Sequence, residues 1–169
     1  MKIAYTMTQG RGELDCLLAD FAETLKARGV RTCGIVQINT ETETPHRCDM
    51  DVKVLPDGPK VRISQYLGKD SRGCRLNPDA LETAAVEVSR TMDEGFDIFI
   101  LNKFGKQEAD GRGFRNMIGE AIERGAAVLV GTNTTNEEKL IDFSGGIATS
   151  VSPEPKALLE WFFAPSAPE

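Results

Sequence analysis

An α/β chain with a mostly parallel sheet and helices on both faces is the fold class the sequence predicts, and three observations carry it. Strand-length apolar runs alternate with segments of helical period along most of the chain. One run, Phe96-Asp97-Ile98-Phe99-Ile100-Leu101, is apolar almost without interruption, the mark of a strand buried on both faces. That run empties into a polar, glycine-bearing stretch from Asn102 to Gly113, and open α/β sheets place their ligands beyond the carboxyl ends of such strands.

The elements follow in order. Residues 2–6 read as a first strand, and Met7 to Gly12 as a turn. Over 13–28, Leu14, Leu17, Leu18, Phe21, Ala22 and Leu25 recur at helical spacing. Glu13 and Asp15 open that helix and Lys26 and Arg28 close it, each sign complementing the helix dipole, with Gly29 as the stop. Residues 32–38 are a second strand, giving a βαβ unit. A polar loop over 39–47 precedes two alternating segments, 48–55 and 60–66, around Pro56-Asp57-Gly58-Pro59, which predicts an inserted β-hairpin. After a loop over 67–76, Asn77 and Pro78 start a helix to about residue 94. A helix over 113–124, a strand over 126–131, a helix over 136–143, a strand over 147–151 and a helix over 155–163 complete the pattern. Leu158, Leu159, Trp161, Phe162 and Phe163 are expected to dock the last helix on the body. The chain thus reads as a single α/β domain over 1–163 with a loose tail over 164–169.

Composition removes several classes of function. The 169 residues suffice for one domain with a real core. The charge balance, 20 basic against 26 acidic residues or −6, argues against a nucleic-acid partner, which needs a basic footprint. No apolar run approaches the roughly 20 residues that span a bilayer, so no membrane insertion is expected. The first residues enter a strand without the apolar region of a secretory leader, and a cytoplasmic location is expected. Cys16, Cys33, Cys48 and Cys74 lie far apart with no C-x-x-C pair, which predicts free thiols, Cys16 and Cys33 as packing residues.

The turn Thr6-Met7-Thr8-Gln9-Gly10-Arg11-Gly12-Glu13-Leu14 joins a strand to a helix, the geometry that presents free amides to a phosphate. A working phosphate loop reads G-x-x-x-x-G-K-[ST], and that motif is absent. The order of elements resembles the small P-loop nucleoside-triphosphatases of broad specificity, in which the central strand ends in Asp-Glu followed by a pattern like Ile-Gly-x-x-Glu. Gly105 and Glu108 match that pattern; Asn102 and Lys103 stand at its acidic pair, Leu14 at the phosphate-loop lysine and Asp15 at the following hydroxyl. The resemblance implies a three-layer P-loop-NTPase-like fold with a degenerate phosphate loop. A closer likeness, over nearly the whole chain, is to a bacterial family of unknown function related to those NTPases. Its marks are Cys48-Asp49-Met50-Asp51, Arg62-Ile63-Ser64-Gln65, Gly73-Cys74-Arg75-Leu76 and Asn102-Lys103-Phe104-Gly105-Lys106-Gln107-Glu108. That likeness implies a gene context beside molybdate transporters, hence molybdenum metabolism, and no established activity.

Phosphoryl transfer depends on positioned charge, so loss of the lysine and the magnesium-orienting acid predicts a rate lower by several powers of ten, and ordinary NTPase activity is not expected. Lys103 and Lys106 reverse the local charge. The first expectation is therefore an anion held without magnesium: molybdate, tungstate or an anionic nucleotide-like ligand. Its binding residues would be Thr8, Gly10, Arg11, Gly12, Asn102, Lys103, Lys106 and Arg112, with Lys69, Arg72 and Arg75 as lid candidates. A second expectation is an unconventional magnesium-dependent NTPase or transferase, with a Mg-nucleotide bound and Glu108 as the catalytic candidate orienting water. A third is a metal or redox site from His46, Cys48 and Cys74, whose donors suit a soft or borderline metal. The aromatic cluster around Trp161 is either core or a self-association surface, the latter implying a homo-oligomer.

Overall fold

The computed structural model describes residues 1–10, 12–41, 48–68 and 76–165. Its elements are β1 (Ile3–Thr6), α1 (Glu13–Ala27), β2 (Thr32–Glu41), β3 (Cys48–Val54), β4 (Lys60–Arg62), α2 (Pro78–Asp93), β5 (Ile98–Asn102), α3 (Lys106–Ala109), α4 (Arg115–Glu123), β6 (Ala127–Gly131), α5 (Thr134–Phe143), β7 (Thr149–Ser150) and α6 (Pro155–Phe163). The described strands form one sheet in the order β4-β3-β2-β5-β6-β1-β7. The five from β2 to β7 run parallel, and β3 and β4 extend the β2 edge as an antiparallel hairpin.

Strand alternation decides the layers. Successive side chains leave a strand on opposite faces, so a doubly covered strand feeds two cores at once. In β5, Phe99 and Leu101 join one apolar cluster with Leu81 and Val88 of α2, Ile118 of α4 and Leu140 of α5. Ile98 and Ile100 of the same strand join the other, with Leu14, Leu18, Phe21 and Leu25 of α1 and Leu158 of α6. The result is the predicted three layers, helix–sheet–helix.

The structure departs from the sequence reading in several places. The second strand runs on to Glu41, because its last residues pair with β3 at the sheet's edge. The hairpin's return strand is shorter, ending at Arg62, beyond which Ser64 makes an isolated bridge to Leu76. The stretch after β5 contains a one-turn helix, α3, too short for periodicity to reveal. Cys16 is exposed, on the α1 face opposite the buried Leu14 and Leu18, and is not a packing residue; Cys33 is buried. Of the aromatic residues on α6, Trp161 and Phe162 pack against the core and Phe163 is exposed. The Lys2 ammonium donates to the carbonyls of Phe162 and Ala164, both at 2.6 Å, tying residue 164 to the body.

Asn77 caps α2 as predicted, its side chain accepting from the amides of Asp79 and Ala80 at 3.1 and 3.3 Å. Asn77→Ala is expected to cost about 1 kcal/mol of stability, read as a lower urea midpoint at unchanged slope.

Candidate functional site

The polar stretch after β5 is held down at two buried points, and its cations lie between and just outside them. Phe104 is fully buried; its amide donates to the Gly131 carbonyl at 2.8 Å, and its carbonyl accepts from Thr132 Oγ1 at 3.0 Å. Glu108 is 3% exposed. One of its oxygens accepts from the Gly105 amide at 2.9 Å and the other from the Phe114 amide at 3.2 Å. The carboxylate therefore closes the segment from both ends of α3. Gly113 completes the brace: its φ is 61°, and a β-carbon there would lie 2.2 Å from Glu108 Oε1. Burial pushes the Glu108 carboxyl above its ordinary range, against the downward pull of the Gly105 and Phe114 amides. Lys106 is exposed between these anchors, as are Lys103 just before Phe104 and Arg112 beyond α3. None of the three forms an ion pair among the described residues.

Across the strand ends, α1 approaches closely. Asn102 pairs in register with Gly131, where a β-carbon would lie 2.8 Å from Leu18 and 3.0 Å from Leu14. Leu14 is a packing residue of this contact, buried in the α1 core. Asp15 meets Asn102 directly: Asn102 Nδ2 donates to Asp15 Oδ1 at 2.8 Å. Asp15 Oδ2 accepts from Asn39 Nδ2, and Asn39 Oδ1 accepts from Gln37 Nε2 at 2.8 Å. Two of the four positions read from the resemblance as departures, Asp15 and Asn102, are thus hydrogen-bonded to each other. Asn102 Oδ1 is left as a buried acceptor without a partner among the described residues.

The turn between β1 and α1 is self-occupied. The Gly10 amide, which would face a bound anion, donates instead to Glu13 Oε2 at 3.1 Å. Thr8 Oγ1 makes a long contact, 3.5 Å, with the Gly10 carbonyl, and Gly12 is the left-handed residue ahead of α1. A carboxylate of the chain's own first helical residue therefore engages one of the amides this turn could offer an anion.

On the α2 side of the sheet lies a cavity of about 810 Å³. Its apolar wall includes Ile35, Val52, Ile63, Leu81, Leu101 and Phe114, and its polar wall Gln37, Gln65, Asn102, Asn133 and Asn136. Lys103, Lys106, Arg112, Asp110 and Glu108 also line it. Five of the residues singled out from the sequence, Asn102, Lys103, Lys106, Glu108 and Arg112, thus converge on one cavity. Thr8, Gly10 and Gly12 are not among its lining residues. Arg11, the lid candidates Lys69, Arg72 and Arg75, and His46 and Cys74 lie outside the described residues, as does the Cys48 side chain. Among the described residues no group of three or more His, Cys, Asp or Glu could hold a metal ion. No helix among them is long and apolar enough to cross a membrane.

The amides of Gln37, Asn133 and Asn136 were not legible as site residues. They come from β2 and from the N-cap and first turn of α5, far apart in the chain, and only Gln37 carried a signal: a glutamine within the apolar run Ile35-Val36-Gln37-Ile38. Other marked residues prove to be scaffold. Arg62 pairs with Asp49 at 2.9 Å and Asp51 at 2.7 Å across the β3–β4 hairpin, and Ser64 Oγ accepts from the Met50 amide at 3.2 Å. The Arg62 pairs are half exposed and contribute little stability, so register is their main effect.

Comparison with known proteins agrees with this architecture. The family described as "Protein of unknown function (DUF2478)" matches residues 3–161. The "Molybdenum import ATP-binding protein ModC 2" of Bradyrhizobium diazoefficiens is 35% identical over 161 residues, which cover 95% of this chain. The chain spans 18% of that relative's length. Among solved structures, the "Solution Structure of a Human Cancer-Related Nucleoside Triphosphatase" superposes with a TM-score of 0.62 at 18% identity, covering 94% of this chain and 93% of that one. The fold is therefore that of a P-loop NTPase-like α/β protein.

Proposed function

The chain belongs to the DUF2478 family of unknown function, and from that premise we propose that it binds a small anionic ligand in the cavity at the carboxyl ends of β2 and β5, without magnesium. The observation that carries this reading is the set of three exposed cations without an ion pair among the described residues, Lys103, Lys106 and Arg112, lining a cavity whose other residues are mostly apolar or amide-bearing, with Asp110 and the amide-bound Glu108 as its carboxylates. Cations with no internal partner beside a concave site are free to take an external charge. Molybdate or tungstate supplies such a charge, and the molybdenum-import relative supports a role in molybdenum metabolism. The volume, however, is that of sites for whole small molecules, roughly 300–1,000 Å³, which favours an anionic nucleotide-like ligand over a bare oxyanion. Glu108 acts here as a brace for the cation-bearing segment, since both its oxygens are engaged by backbone amides.

Titration calorimetry with molybdate, tungstate, phosphate and a nucleoside monophosphate tests this. Affinity for at least one anion is expected to fall about tenfold in Lys103→Ala and again in Lys106→Ala, each loss shrinking as salt rises. Absence of binding by all four at millimolar concentration, or unchanged affinity in the double variant, overturns the reading. Phosphate release from a nucleoside triphosphate that needs magnesium and disappears in Glu108→Gln would instead establish the enzymatic alternative.

A further inference from the structure

Two amide side chains on separate walls of the cavity are wired alike. Gln37, on β2, is 9% exposed, and its Nε2 donates to Asn39 Oδ1 at 2.8 Å. Asn136, on α5, is 8% exposed, and its Nδ2 donates to Asn133 Oδ1 at 3.1 Å. Neither orientation is free to reverse. Asn39 gives its own Nδ2 to Asp15, so its oxygen faces Gln37; Asn133 caps α5 by accepting from the Asn136 amide at 3.1 Å, so its oxygen faces the Asn136 side chain. Each NH₂ group is turned to its neighbour and gives it one of its two N–H bonds. The carbonyl oxygens, Gln37 Oε1 and Asn136 Oδ1, take no hydrogen bond among the described residues and are not sealed from solvent, and both residues line the cavity.

A cavity that offers acceptors on two walls is poorly suited to the body of an oxyanion, because carbonyl oxygens repel it. It is well suited to a flat ring bearing N–H groups, with apolar residues such as Ile35 and Phe114 against the faces. We propose that the cavity takes a planar nitrogen heterocycle through its N–H edges, at Gln37 Oε1 and Asn136 Oδ1, while the anionic substituent of the same ligand lies on Lys103 and Lys106. This rests on the anion reading above and adds the class of the ligand. Asp15 is then a positioning residue: it is not among the cavity's lining residues, and through Asn39 it fixes the orientation of the Gln37 amide.

The test compares two monophosphates that share ring system, ribose and charge. Guanosine 5′-monophosphate presents N1–H and an exocyclic NH₂; purine riboside 5′-monophosphate presents ring acceptors and no ring N–H donor. By calorimetry the guanosine compound is expected to bind at least about tenfold more tightly. In Gln37→Met and Asn136→Leu, with folding checked by thermal melts, that preference is expected to shrink towards unity while the affinity of the purine riboside compound stays within about threefold. Equal affinities in the unaltered protein overturn the inference and leave the anion reading standing. Binding of molybdate or phosphate without either monophosphate also overturns the inference alone. A preference that survives both substitutions removes Gln37 and Asn136 as its source. Failure of every anion to bind removes both proposals.

Discussion

Glu108→Ala is expected to lower the unfolding free energy by about 3 kcal/mol, the largest loss from any single side chain at the site. Hydrogen bonds to a charged group contribute about 1.5–3 kcal/mol each, and this carboxylate accepts one from Gly105 and one from Phe114. Truncation leaves both amides without partners beside a fully buried Phe114. The cost of burying the charge is recovered in the variant, which is why the loss falls short of the full sum. Glu108→Gln keeps one acceptor and is expected to lose about half as much. Urea unfolding at constant slope measures both, and an unchanged midpoint in Glu108→Ala would show that the segment does not depend on the brace. The pH dependence carries a sign. Burial holds the Glu108 carboxyl above its ordinary value, so below that value it is protonated folded and unfolded alike. As pH rises, the unfolded chain releases its proton first, and the stability this group contributes declines until pH passes the raised folded value. The advantage of the unaltered protein over Glu108→Gln is therefore expected to narrow as pH rises from the ordinary carboxylate range.

Gly34→Ala is expected to be worse still, about 4 kcal/mol or more, with little folded protein recovered. Gly34 lies in β2 at φ 107°, a region that side chains rarely enter, and a β-carbon there would stand 2.0 Å from the Ile100 carbonyl oxygen of β5. That neighbour is backbone in the middle of the sheet and cannot rotate away. The strained dihedral costs about 1–3 kcal/mol and the overlap a comparable amount. The pair β2–β5 also carries Gln37 and Asn102, so partial accommodation would open the polar wall of the cavity. Expression yield and thermal unfolding read the outcome. A melting temperature within a few degrees of the unaltered protein would mean that β2 has room to shift.

The segment from Asn102 to Gly113 shows how far residue types alone reach. Its position after a doubly buried strand was legible because nearly continuous apolarity from Phe96 to Leu101 demands cover on both faces of that strand. The convergence of Lys103, Lys106 and Arg112 was legible too, since a short loop keeps its members together. Glu108 was legible as a notable acid but not as a brace, because its partners are backbone amides, and backbone amides carry no sequence signal. The β1–α1 turn was recognisable as a phosphate-loop shape without its motif. That Glu13 would fold back onto the Gly10 amide depends on a local rotamer choice that neither residue announces.

From the amino-acid order alone came the layered α/β class, the inserted hairpin, the acidic balance and the point where the strand opens into polar chain. Those properties follow from periodicity, turn chemistry and charge, all of which act over a few residues. Only the folded molecule decided that Asp15 would hold Asn102 and Asn39, that the Gln37 and Asn136 side-chain oxygens would be left without a hydrogen bond among the described residues at one cavity, and that Glu13 would take the Gly10 amide in the β1–α1 turn. Each of these joins side chains on different elements, and the sheet order that brings β2, β5 and the first turn of α1 together is a property of long-range packing.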